Sequence, residues 1–138
     1  MTDNISSNAS VASRTDGASG ALFAVEGAVA RNATWADDIN FFENGAGLDI
    51  SLLDWKLQLR ADPEQDSADL ELTISDGLSI QLDGAGVSSI LRINVPASDL
   101  AALRGDYTMD LASQDSTDAV IAWAHGILTF TRNPVTWS

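Results

Sequence analysis

The chain has no cysteine, a single histidine and a single lysine among its 138 residues. Without thiols, neither disulfides nor thiolate-bound zinc can support the fold. With His125 as the sole imidazole, metal catalysis would have to rely on carboxylates. A serine nucleophile needs a base beside it and an acid to orient that base, and the G-x-S-x-G elbow is missing from the sequence. His125, in the run Ala122-Trp123-Ala124-His125-Gly126-Ile127, is therefore expected to be structural or superficial. No catalytic, cofactor-binding or metal-ligating set emerges, and the chain is expected not to be an enzyme.

Positive charge is the next scarcity. Seven Lys and Arg stand against 20 Asp and Glu, for a formal net charge of -13. Nucleic-acid binding depends on cations that neutralise phosphates, and anionic membrane surfaces make the same demand, so neither partner is expected. A high net charge keeps copies apart until a specific surface joins them; a salty habitat would favour the same composition. Long apolar runs are also lacking, and none approaches the ~20 residues of a membrane span. The opening MTDNISSNAS has neither the basic start nor the apolar stretch of a signal peptide.

What remains is patterned. Residues 1–20, MTDNISSNASVASRTDGASG, are rich in Ser, Asn, Ala and Gly and show no period. Such a segment cannot bury enough apolar surface to offset its ordering entropy. It is expected to be an extended arm outside the folded domain, docking on another subunit through Ile5 and Val11. From residue 21 to 138 the sequence alternates apolar and polar residues between short Gly, Asp and Asn breaks, as in a β-sandwich or barrel. The apolar sets are Phe23, Val25, Val29; Trp35, Ile39, Phe41; Trp55, Leu57, Leu59; Leu70, Leu72, Ile74; Leu78, Ile80, Leu82; Leu91, Ile93, Val95; Tyr107, Met109, Leu111; and then either Ile127, Thr129, Thr131 or Leu128, Phe130. They predict about eight strands, which suits a sandwich.

Between Ile74 and Leu78, a three-residue loop Ser75-Asp76-Gly77 keeps six apolar residues on one face, which a two-residue turn would not. It places Ile74 opposite Leu78 and requires a left-handed Gly77. Pro96 to Leu103 predicts one short helix with Ser98 as a possible N-cap, ending before Gly105.

Four other features invite a functional reading. Asp62, Glu64, Asp66 and Asp69 could offer oxygens to calcium, but the spacing is not that of an EF-hand, and a solvated loop is the simpler expectation. Arg104-Gly105-Asp106 spells the integrin tripeptide, although a chain leaving a helix for a strand already explains its glycine. Trp35 and Trp55 share the apolar parity and are expected in the core. Trp137, beyond the last strand, is the better candidate for a partner contact.

Several segments in order carry a family pattern: Asn32-Ala33-Thr34-Trp35, Asp49-Ile50-Ser51, Gln58-Leu59-Arg60, Ala101-Ala102-Leu103 ahead of Gly105-Asp106-Tyr107, Asp110-Leu111, then Gly126 and Val135-Thr136. Together they resemble a family of small bacteriophage particle proteins related to the immunoglobulin-like N-terminal domain of phage baseplate upper proteins. That domain joins receptor-binding parts to a tail. The pattern spans residues 30–136. It departs at Asn32-Ala33, where the family has Gly-Asp, and at Leu52-Leu53, where it has a glycine-containing turn. The resemblance implies an immunoglobulin-like sandwich without catalytic residues. It also implies a virion location, with other virion proteins and further copies of the chain as partners. Capsid decoration through the arm is the first expectation, a tail, baseplate or fibre-attachment module the second, and a carbohydrate- or receptor-binding module the third.

Overall fold

The computed structural model describes residues 2–3, 9–14 and 23–132, with only the backbone described up to residue 25. The strands are β1 (Thr2–Asp3), β2 (Ala9–Arg14), β3 (Phe23–Ala30), β4 (Trp35–Glu43), β5 (Ala46–Gly47), β6 (Asp54–Arg60), β7 (Leu70–Ile74), β8 (Gly77–Gln81), β9 (Ile90–Val95), β10 (Gly105–Gln114) and β11 (Val120–Thr131), with one helix, α1 (Ala97–Leu100). The eight expected strands correspond to β3, β4 and β6 to β11. The protein is all-β.

Hydrogen bonding links the strands in the order β1-β3-β11-β10-β6-β7-β8-β9-β4-β2, with β5 on β4. The pairs β1–β3, β3–β11, β2–β4 and β7–β8 are parallel and the others antiparallel, so the sheet is mixed. It curls until its inner faces meet. Phe41 of β4 lies 4.8 Å from Trp55 of β6 and 5.0 Å from Trp123 of β11, ring centre to ring centre. Trp35 meets Phe130 edge-on at 6.1 Å. These aromatics, with Ile39, Leu57, Leu59, Leu91, Ile93, Met109 and Leu111, form the buried core.

Period-2 alternation produced this core except at β11. There the register shifts, so that Leu111 pairs Ala124 while Ala112 pairs Ala122. The extra residue, skipped by the register, is Trp123, and the bulge lets both Trp123 and Ala124 face inward. Parity is reset beyond it: Leu128 and Phe130 are buried and Ile127 is exposed, which decides between the two expected sets.

The corner at residues 75–77 differs from the expected hairpin. Ile74 does pair with Leu78, and Gly77 has φ +93, but β7 and β8 run parallel over two residue pairs only. The chain leaves the neighbourhood of β6 and enters that of β9 without folding back. Bonds from Ser75 N to Leu78 O (2.9 Å) and from Asp76 N to Thr73 O (2.9 Å) hold the corner. A side-chain period cannot distinguish a fold-back from a change of layer. Leu82, expected inward, is 64% exposed because β8 ends one residue earlier.

One further expectation is corrected. α1 starts at Ala97 with Pro96 at its N-cap and no side-chain cap bond, so Ser98 does not cap it; proline's fixed φ already sets the entry. Within the segment 1–20, Thr2–Asp3 and Ala9–Arg14 form β1 and β2, which pair with β3 and β4, and Val11 of β2 lies opposite Asn40 of β4. Edge pairing uses backbone groups and needs no apolar side-chain period. Ile5 and Trp137 lie outside the described residues.

Candidate interaction surface

The strand register fixes two ends. Loops 31–34, 61–69 and 96–104 lie where β3 and β11 finish and β10 begins, since Ala30 pairs Thr131 and Gly105 pairs Phe130. Loops 44–53, 82–89 and 115–119 lie at the other end, where Gln114 pairs both Val120 and Asp54. Ile50 N bonds Ser88 O at 2.9 Å, tying two of these loops together.

Three aspartates brace this second end. Asp49 accepts from Ser51 N at 2.9 Å, Asp83 from Ala85 N at 2.8 Å and Val87 N at 3.0 Å, and Asp115 from Thr117 N at 2.8 Å and Ala119 N at 3.1 Å. Bonds from Ser51, Ser89 and Thr117 respectively are the chief reason that each carboxyl sits below its ordinary pKa. Loops 44–53, 82–89 and 115–119 contain four aspartates and no Lys or Arg. The same end exposes apolar side chains: Leu52 is 90% exposed and Val120 64%.

The outer face of β6, β7, β10 and β11 carries a cleft of about 400 Å³ lined by Asp54, Lys56, Thr73, Ala112, Gln114 and Val120, among others. The register explains it. Ala122, Ala112, Lys56 and Thr73 form one row across four strands, and two of the four are alanines. Lys56, the sole lysine, borders the depression that results.

The other features singled out in the sequence have structural occupations. His125 Nδ1 is 2.6 Å from Asp110 Oδ1, a cross-strand pair on the outer face. Arg104 of the integrin-like tripeptide donates to Ala101 O at 2.6 Å, Gly105 has φ +78, and Asp106 accepts from Thr129 Oγ1 at 2.6 Å. In the acidic loop, Asp62 accepts from Glu64 N at 2.9 Å and Asp69 from Ala61 N at 2.7 Å. Among the described residues no group of three or more His, Asp or Glu is placed to hold a metal. Trp35, Trp55 and Trp123 are buried.

Sequence reading missed Asp37. It is inward-facing on β4 and 3% exposed; one carboxylate oxygen accepts from Trp35 Nε1 at 2.8 Å, and the other finds no partner among the described residues. Burial pushes its pKa up to about 7, the Trp35 bond opposing and neighbouring Asp38 adding to the rise. Its position at every-other-residue spacing between Trp35 and Ile39 was the available signal.

No protein-family model matches the sequence, and no curated protein matches it. Among solved structures, the N-terminal domain of phage TP901-1 ORF48 is similar, with a TM-score of 0.47 at 12% identity over 91% of this chain and 100% of that one. The bradyzoite-specific antigen BSR4 of Toxoplasma gondii gives a TM-score of 0.39 at 10% identity, over 96% of this chain and 52% of that one. AggA, the major subunit of aggregative adherence fimbriae type I of Escherichia coli, gives 0.31 at 12% identity, over 77% of this chain and 89% of that one.

Proposed function

We propose that the chain is a non-enzymatic structural protein of a bacteriophage virion, built on an immunoglobulin-like sandwich and serving as a tail or baseplate attachment module. The immunoglobulin-like reading is supported by strand order. In variable-type domains one sheet runs G-F-C-C′ and the other contains B, E and D; here β11-β10-β6-β7 and β4-β9-β8 follow those orders. Such domains also have a buried Trp on strand C and a tyrosine at the start of strand F bonded back to the preceding corner. Trp55 of β6 is buried, and Tyr107 Oη accepts from Arg104 N at 3.2 Å. Met109 stands two residues after Tyr107, where antibody domains carry a cysteine.

The phage assignment is carried by one observation: three residues of the phage-protein pattern, Trp35, Leu59 and Tyr107, are framework residues of this fold. Trp35 packs on Phe130, Leu59 is buried, and Tyr107 forms the corner. Attachment is favoured over arm-held decoration because Ala9–Arg14 pairs with β4 of its own chain. Mass spectrometry of density-banded particles, with antibody labelling in electron micrographs, tests the proposal. Label concentrated at the tail tip supports it. Label over the head restores decoration, and absence from the particles removes the virion assignment.

A further inference from the structure

The chain has six arginines, and three that are far apart in sequence meet at one corner. Arg31 follows β3, and its backbone N–H bonds Thr131 O at 2.8 Å; Arg132 is the next residue along that strand. Arg104 precedes Gly105, which pairs with Phe130. Arg104 and Arg132 are exposed and Arg31 half-buried, and among the described residues none of them forms an ion pair. Desolvation, then repulsion from Arg104 and from Arg132, lower the Arg31 pKa. In a chain of net charge -13 this is a concentration of positive charge, three of the seven cations at one corner.

Asp62, Glu64, Asp66, Asp69, Asp99 and Asp106 belong to the same end, but among the described residues none of them forms an ion pair with Arg31, Arg104 or Arg132. Asp106 accepts from Thr129 Oγ1, and Asp62 and Asp69 accept from backbone N–H groups of their own loop. That loop joins β6 to β7, on the far side of β10 from Arg31 and Arg132. At the opposite end of β11, roughly 35 Å away at ~3.3 Å per residue, the surface has the complementary character. Asp54, Asp83, Asp115 and Asp118 belong to that end, with the exposed side chains of Leu52 and Val120 beside them in its loops and strand starts.

We propose that the Arg31, Arg104 and Arg132 corner of one copy docks on the carboxylate-bearing loop end of a second copy, so that subunits associate head to tail. Opposite charges steer the encounter and set its register, and Leu52 and Val120 supply apolar area to bury. The contact joins two different patches, so each copy keeps one free end and the assembly grows into a ring or a string. It is independent of the virion assignment: either can fail without the other.

Sedimentation velocity on the full chain tests the contact. At about 50 mM salt the average mass should rise with concentration, and at about 500 mM, where screening is strong, it should fall back toward the monomer. Arg31→Ser/Arg132→Ser removes two cations, and Asp54→Asn/Asp118→Asn removes two anions without disturbing Asp49, Asp83 or Asp115. Each variant should associate roughly tenfold more weakly, with near-ultraviolet circular dichroism unchanged. Mixed together, the two variants should recover a 1:1 dimer, because each retains the end that the other lacks. A wild-type chain that stays monomeric at low salt overturns the proposal. So does association that both variants retain in full, or a mixture that fails to form the dimer.

Discussion

At the scale of single residues, Asp37 is the most exposed to conditions. Its carboxyl lies in the core between Trp35 and Ile39, and Arg92 of the adjoining strand β9 is held by Asp38 at 2.9 Å. The folded state therefore retains a proton that the unfolded chain releases. Between the ordinary value of 3.8 and about 7, the folded protein binds more protons than the unfolded one, so this group's contribution to stability falls as pH rises through that window. Asp49, Asp83 and Asp115 act in the opposite sense. Their lowered pKa values give stability above the ordinary carboxylate range that is lost as pH falls. Asp37→Asn separates the two effects. Chemical denaturation across pH should show the variant more stable than wild type at pH 8 and similar near pH 3, the difference growing between pH 4 and 7 (about the window set by the two pKa values). A difference that does not vary with pH would mean that the Asp37 carboxyl ionises freely in the folded protein.

At the scale of elements, the corner between β7 and β8 depends on one glycine for two reasons. Gly77 has φ +93, and a Cβ there would lie 2.6 Å from Leu72 Cδ2, a buried side chain. Gly45 also has positive φ (+81), but a Cβ there meets nothing within 4 Å. Gly45→Ala should thus cost about 1 kcal/mol, the conformational part alone. Gly77→Ala should cost about 2–4 kcal/mol, because Leu72 must also move. Equal losses in denaturant titrations would show that Leu72 yields freely. The glycine's conformation was legible in the sequence, and so were the eight strands and the inward positions of Trp35, Trp55, Leu57 and Leu59, because apolar parity reports burial directly. Trp123's bulge and the parallel sense of the corner were not, since period-2 patterns carry no information on register shifts or on which layer comes next. The arginine corner was hidden for a related reason. Residues 31, 104 and 132 become neighbours only through the pairing of β3, β11 and β10.

At the scale of the whole molecule, the N-terminal segment decides how the sheet is terminated. β2 pairs with β4 over six residues, from Ala9 opposite Asp38 to Arg14 opposite Glu43. β4 also pairs with β9, so β2 covers what would otherwise be an open edge beside the core strand that carries Trp35, Ile39 and Phe41. Each net backbone hydrogen bond contributes about 0.5–1.5 kcal/mol, offset by about 1–2 kcal/mol per residue of ordering entropy. The equilibrium gain from β2 is accordingly small, whereas its effect on association is large, because an uncovered edge offers a row of unpaired N–H and C=O groups to another chain. Deleting residues 2–14 should lower the melting temperature by no more than about 3–4 °C, equivalent to ~1 kcal/mol in a domain of this size. Aggregation on heating should increase much more, and light scattering should report a lower onset temperature and a steeper dependence on concentration. Because edge pairing is made of backbone bonds, salt should not suppress it, unlike the charge-driven head-to-tail contact. A truncated chain that melts and scatters like the full one would show that β4 needs no cover, and would free the segment for the arm role that its composition suggests.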